Sequence, residues 1–524
     1  MKKISILIIC VLLNLNAVFA EGNLRFTDSK TISKTSNSAE FQLASLFKDH
    51  MVLQRDMAVP VWGKAIAGAT ITVNFAEKTK KTVADANGNW SLCIASLQAS
   101  FEPRTMKITS SKDKKEIEIS DIVVGEVWIC SGQSNMQLGI NAAPEVKALV
   151  PSAKNIRSFT VKNTVAFEPQ DTCEGEWIKE QPNSAVAFSF AYFLEKNANV
   201  PVGIILTSWG SSSIEAWMPR EMTATVPHFK SMMQEFDADV TTQNKIKAIL
   251  SGPQPWSKVD DVFLRRQTNI LFNAMMHPLI PYACRGLVWY QGERNTQSMY
   301  GMIKDPWYSR NSGILAYGNT LKEWVKNYRK LWDKEKMQFQ IVMLPGYGGL
   351  LDSDSNKNLD SPEAHSWAWM RESQLQVLEL PYTSVANIID LGDVKNIHPT
   401  DKLPVGERLA LLARANVLKE NIEAYGPVYK KVKKKGNTLI IHFTHAKELK
   451  TVDGKDPRAF WLSDDSKKWV LGQAKINGTT IVVSSSQMAN PKYIRYAFTG
   501  KPDVNLVNEE NLPAYPFRTD TFKP

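Results

Sequence analysis

Cysteine and histidine are scarce in this chain. Five cysteines and seven histidines are spread over 524 residues. No CxxC pair, zinc spacing or HExxH motif occurs, so the sequence supports no metal site. Cys93, Cys130, Cys173 and Cys284 stand far apart, and their spacing predicts no disulfide pairing. No Gly-rich phosphate loop follows a strand candidate, so no nucleotide or other cofactor is expected. A dense basic block is also missing, and the formal charge of +10 is diffuse. The longest basic cluster, Lys430, Lys431, Lys433, Lys434 and Lys435, precedes a strand-like run. It reads as a solvated hairpin edge, and no nucleic-acid partner is expected. Beyond the N-terminus there is no run of 18 apolar residues, so no membrane span is expected. Hydrophobic residues make up 43% and charged residues 22%, which excludes a disordered, collagenous or disulfide-scaffold protein.

What is present begins with an address. Lys2-Lys3 form a positive start, Ile4 to Leu13 an apolar stretch too short to span a bilayer, and Val18-Phe19-Ala20 a small-residue cleavage signal. Residues 1–20 are therefore expected to be a signal peptide, with an uncleaved anchor as the alternative. The mature protein is expected in the periplasm or secreted. Residues 21–40 are polar and Ser/Thr-rich and read as a flexible lead-in.

From residue 41 to 120 the text predicts a small β-sandwich. Thr70 to Phe75 alternates with period two, and Asn87-Gly88 signals a hairpin turn before a strand restarts at Trp90. At Asp121 the pattern changes. Apolar strands are expected at Ile122–Cys130, Val202–Thr207, Leu287–Tyr290, Phe339–Leu344 and Ser384–Asp390, with helical stretches between them. The clearest helix carries Leu321, Trp324, Val325, Tyr328, Leu331 and Trp332 on one face. This alternation predicts an α/β domain over 121–422, a parallel sheet with helices on both faces. Residues 217–265 read as a polar, irregular insertion over it. Residues 423–524 read as a C-terminal β-rich domain, with Asn477-Gly478 as a turn.

The chemistry sits where expected strands end. Ser131-Gly132-Gln133-Ser134-Asn135-Met136 follows the first strand, the place where open α/β sheets put ligands. A helix start there aims N–H groups at a developing oxyanion. Ile397-His398-Pro399 follows the last strand, and imidazole is the base a serine nucleophile needs. Ser208-Trp209-Gly210 offers a close backbone N–H, and Gln291, after Trp289-Tyr290, offers a neutral amide donor. Four such turns make a coherent site for Ser134, Gly210, Gln291 and His398. Fifteen tryptophans fit a sugar-handling surface, although most are expected in the core.

Gly132-Gln133-Ser134-Asn135-Met136, Trp289-Tyr290-Gln291-Gly292-Glu293-Arg294-Asn295 and Ile397-His398-Pro399 together resemble the sialate O-acetylesterase-like carbohydrate esterases of the SGNH hydrolase superfamily. The resemblance runs from about Leu46 to the C-terminus, with Met51-Val52-Leu53-Gln54-Arg55 among its early blocks and Pro516-Phe517-Arg518 among its late ones. It implies a serine esterase that removes O-acetyl groups from sugars through an acetyl-enzyme, without a cofactor, on an acetylated glycan. Ser134 matches the nucleophile and His398 the base. The Ser134 N–H, Gly210 and Gln291 match the oxyanion hole. Two departures stand out. Ser211 replaces a family glycine, and Lys395 stands where the superfamily places its acid. For that acid Asp393 is favoured over Asp390, and a Ser134–His398 dyad is the third option. Glu215 and Trp217 read either as lining the sugar cleft or as anchoring the insertion. The substrate is left open between sialosides and acetylated hemicellulose or pectin, as is a non-catalytic carbohydrate-binding role on the same scaffold.

Overall fold

The computed structural model describes residues 40–301, 303–305, 309–349, 361–362 and 366–524. The expected signal peptide, and the lead-in up to residue 39, lie outside the described residues. Six parallel strands form the central sheet, in the spatial order Ile156–Thr160, Val202–Ser208, Glu116–Gly132, Gly286–Tyr290, Gln338–Val342 and Thr383–Ala386. The two-residue strand Trp177–Ile178 closes one edge antiparallel. Five of the six were legible as apolar runs. Ile156–Thr160 was not, because Arg157 and Ser158 interrupt it. In the fold Arg157 pairs with Asp121 at 2.9 Å, and the Ser158 hydroxyl donates to the Glu180 carbonyl.

The strands are buried on both faces, as their unbroken hydrophobicity requires. Trp128 meets Phe190 of the Ala185–Ala198 helix, with ring centroids 5.2 Å apart. Trp289, on the opposite face by strand parity, meets Trp324 of the Ile314–Leu331 helix at 4.6 Å. That helix buries Leu321, Trp324, Val325 and Tyr328, the stripe read from the sequence. The Leu403–Asn416 helix packs beside Ala185–Ala198, where a Cβ at Gly406 would collide with Ser189 and the Phe190 backbone.

Two expectations change. The stretch 217–265 is not irregular, since it holds the helices Pro227–Ala238, Val240–Ser251 and Lys258–Leu264. Its first helix buries Phe229, Met232, Met233 and Phe236, spaced one helical turn apart under a polar outer face. Asn87-Gly88 does form a turn, tied by Asp85 to the N–H groups of Asn87 and Asn89. It joins no hairpin, because Lys78–Val83 pairs with Thr70–Phe75 whereas Asn89–Ile94 pairs with Val59–Lys64 in another sheet.

The strand Glu116–Gly132 runs through the expected boundary at Asp121. Its first half pairs with Ser100–Ser110 of the N-terminal β-region, and its second half is the centre of the parallel sheet. The C-terminal region forms two four-stranded sheets, and the lysine-rich strand Val428–Lys435 lies at the edge of one.

Candidate active site

The chain runs from the central strand outward to Ile156–Thr160, returns to Val202–Ser208, then crosses to Gly286–Tyr290 on the other side. The crevice between these directions is the switch point where open α/β sheets bind ligands. Gly132, Ser208 and Tyr290 lie in register at its floor. Gly132 has φ +140°, and a Cβ there would collide with the Tyr290 carbonyl. The chain can therefore turn sharply and place Ser134 at the start of the short helix Ser134–Gln137.

His398 comes to Ser134 from a different part of the chain. Its Nε2 lies 2.8 Å from Ser134 Oγ, a hydrogen bond between residues 264 positions apart. Burial holds the imidazole below its usual pKa, and the nearby charge of Lys402 adds to the effect. The resting pair is thus a hydroxyl facing a neutral base.

The favoured acid does not join this pair. Asp393 is exposed, and its Oδ1 accepts the backbone N–H groups of Lys395 and Asn396 at 2.7 Å each. Those amides hold its pKa down, so it caps its own turn. Asp390 is bound by both nitrogens of the Arg408 fork, at 2.6 and 2.7 Å. Among the described residues no carboxylate bonds the His398 ring. The expectation of Asp393 is corrected: a backbone cap outcompetes a side-chain contact further along the loop. The described geometry is the Ser134–His398 dyad.

The oxyanion residues are brought together, but two are engaged. A Cβ on Gly210 would lie 3.3 Å from Ser134 Cβ, so its backbone is beside the serine. Its N–H donates to Gln137 Oε1 at 2.9 Å. Gln291 is wholly buried. Its amide nitrogen donates to Asn295 Oδ1 at 2.9 Å, and to Gln133 Oε1 and the Ser212 carbonyl at 3.2 Å, while its oxygen accepts from Tyr317. That amide ties three turns together and has no donor left for a substrate. The oxyanion role expected for Gln291 is therefore corrected to a scaffolding one. Ser134 N–H has no acceptor among the described residues.

Glu215 and Trp217 are both fully buried, so neither lines a cleft. Burial alone would raise the Glu215 pKa. His228, 3.6 Å away at ion-pair distance, and the Ser312 hydroxyl and amide outweigh burial and bring it down to about 2. Trp217 donates its indole N–H to Ser212 Oγ and accepts from Trp324 and Tyr328 at its carbonyl. Both anchor the chain after the Ser208-Trp209-Gly210 turn. Ser211 adopts φ +60°, a left-handed conformation that glycine takes at no steric cost.

Several residues at the site carried no sequence-level role. Asn135, next to Ser134, donates to Glu293 Oε1 at 2.6 Å and to the Ile397 carbonyl at 3.0 Å, and accepts from Lys402 Nζ at 2.7 Å. Burial raises the Glu293 pKa and lowers that of Lys402 to about 8. Arg265, at the end of the insertion, puts Nη1 3.4 Å from the place a Gly210 Cβ would take. Its own ion pair with Asp261 is a long 3.3 Å. Only the blocks containing Asn135 and Glu293 were visible in the sequence, since Lys402 and Arg265 reach the site through tertiary structure. Among the described residues no group of three potential metal ligands occurs.

A family profile described as "Carbohydrate esterase, sialic acid-specific acetylesterase" matches residues 124–251, which contain Ser134 and Gly210. Sialate O-acetylesterase of Rattus norvegicus is 27% identical, over 88% of this chain and 90% of that protein. The Homo sapiens sialate O-acetylesterase is 25% identical, over 91% and 92%. A crystal structure of a carbohydrate acetylesterase from Xanthomonas citri superposes with a TM-score of 0.75 at 29% identity, covering 92% of this chain and all of that one. With this fold, and with the serine–histidine pair at its switch point, the chain is similar over about nine-tenths of its length to sialate O-acetylesterases and to a carbohydrate acetylesterase, and is a carboxylic ester hydrolase.

Proposed function

We propose that the protein removes O-acetyl groups from carbohydrates by serine catalysis. The observation that carries this reading is the 2.8 Å contact between Ser134 Oγ and His398 Nε2 at the switch point of the sheet. Ser134 attacks the acetyl carbonyl while His398 takes its proton. The Ser134 N–H receives the developing oxyanion, joined by the Gly210 N–H once the Gln137 side chain swings away. His398 then protonates the departing sugar oxygen. Water, activated by the same imidazole, hydrolyses the acetyl-enzyme. None of these steps calls for a cofactor, and excess EDTA is expected to leave the rate unchanged. Complete inhibition reversed by zinc would overturn that expectation.

Arg265 bears on the substrate. A guanidinium beside the serine, with one long ion pair of its own, favours a sugar that carries a carboxylate over a neutral hemicellulose. Acetate release from acetylated sialosides, pectin, xylan and xyloglucan tests both statements. Release from the acidic substrates is expected to exceed release from the neutral ones. A preference for xylan or xyloglucan would overturn the acidic-sugar reading, and no release from any of the four would overturn the function. We also propose export: the N-terminal pattern fits a cleaved leader, and acetylated polymers are met outside the cytoplasm. N-terminal sequencing of the mature protein should start near Glu21, and finding residues 1–20 retained in a cytoplasmic pool would refute it.

A further inference from the structure

Lys402 occupies a costly place. Its side chain is buried, with 1% of the residue exposed. Among the described residues no carboxylate lies within ion-pair distance of its Nζ. It sits at the N-cap of the Leu403–Asn416 helix, the end where the helix dipole is positive and a cation is disfavoured. Burying an ammonium without a direct counter-charge is unfavourable, so stability does not account for it. Its contacts point to the reaction. Nζ donates to Asn135 Oδ1 at 2.7 Å and lies 5.3 Å from the centre of the Tyr290 ring. A lysine can only donate, which fixes the Asn135 amide with its oxygen toward Lys402 and its nitrogen toward Ile397 and Glu293. One side chain thus links the residue after Ser134, the residue before His398 and the turn after Tyr290.

We propose that Lys402 is a positioning residue for the Ser134–His398 dyad: through Asn135 it ties the His398 loop to the serine turn. This rests on the serine-esterase reading above. The other charged groups around His398 are committed elsewhere. Asp390 is paired with Arg408, and Asp393 with its own turn. Asp401 accepts the Gly392 N–H, and Lys501 donates to the Asp390 and Leu391 carbonyls. Lys395 carries its charge on the exposed turn that Asp393 caps, Glu293 faces the far side of Asn135, and Arg265 stands beyond Gly210. Burial is the larger reason that His398 resists protonation, and the Lys402 charge adds to it. The chemical gain lies in the second half of acylation. An imidazolium destabilised by a nearby cation is the stronger acid toward a sugar oxygen, which is a poor leaving group.

The test is the pH dependence of kcat/KM with p-nitrophenyl acetate for wild type, K402M and K402R, alongside proton NMR titration of His398 Cε1 in the wild-type protein. In K402M the acid limb should move to higher pH by about one unit, because His398 protonates more readily once the cation is gone. K402R should keep the wild-type limb. Hydrolysis of an acetylated sugar should fall in K402M by about tenfold more than that of p-nitrophenyl acetate, whose leaving group needs no acid. An unmoved limb in a folded K402M would overturn the proposal and leave Lys402 a packing residue. Should K402M not fold, K402Q takes its place, with His398 Cε1 titrated in it as in wild type. A His398 pKa above the wild-type value supports the proposal, and one equal to it overturns it. Equal activity of wild type and S134A would instead sink the serine-esterase reading, and the titration would still judge Lys402.

Discussion

The proposed mechanism needs a base at the serine oxygen, and His398 Nε2 stands 2.8 Å from Ser134 Oγ. Ser134→Ala should lose about 10³-fold or more in kcat while the fold persists, because members of such a unit fail together. Acetate release at the wild-type rate would remove the mechanism. The two aspartates carry the opposite expectation. Asp393→Asn and Asp390→Asn should each cost no more than a few-fold in kcat, since neither carboxylate bonds the imidazole. A loss of about 10²-fold or more in either would mean that the acid reaches His398 during turnover. Gln137→Ala should leave kcat unchanged or raise it a few-fold, because the Gly210 N–H is then free from the start. A fall of about 10²-fold would make Gln137 part of the machinery rather than a plug.

Among the elements, those that bury a continuous apolar stretch were readable in the sequence. Val202–Ser208 and Gly286–Tyr290 are buried at every position, so each announces itself without alternation. The turns after them were placed correctly for the same reason, because a strand that ends at the sheet's carboxyl side delivers its turn to the crevice. The helices of 217–265 were missed because short polar helices bury only a few side chains each. The acid was misplaced for a more local reason. Proximity in sequence suggested Asp393, but two free N–H groups lie two and three residues on, and a carboxylate satisfies those first. Arg265 is invisible by nature, because what it meets at the site is far away in sequence, and Lys402, four residues after His398, shows no role until its remote partner Asn135 is placed. The lysines of Val428–Lys435 were legible because an edge strand needs charge to discourage further pairing.

At the scale of the whole molecule, one carboxylate joins what the composition shift at Asp121 suggested were separate domains. Glu126 is fully buried in the central strand. It accepts from Arg55 Nε at 2.7 Å and from Arg285 Nε and Nη2 at 2.9 Å. Gln54, at the end of the strand Val52–Gln54, donates to Glu126 and accepts the Val127 N–H. The N-terminal β-region is thereby fastened to the sheet at the end opposite the active site. The extended chain from Glu126 to Gly132 spans about 20 Å. Replacing Glu126 with Gln leaves two arginines half-compensated in a buried place, a change that costs about 3–5 kcal/mol when one partner of such a cluster is removed. The variant should therefore melt several degrees lower, or lose its single unfolding transition to an earlier one confined to the N-terminal region. Its kcat/KM on p-nitrophenyl acetate should stay within about two-fold of wild type at temperatures where it is folded, because the serine turn does not touch the cluster. A melting temperature equal to wild type would show that the β-region is held by its strand pairing with Glu116–Gly132 alone. A collapse of activity at unchanged stability would show that strain travels along the central strand to Ser134.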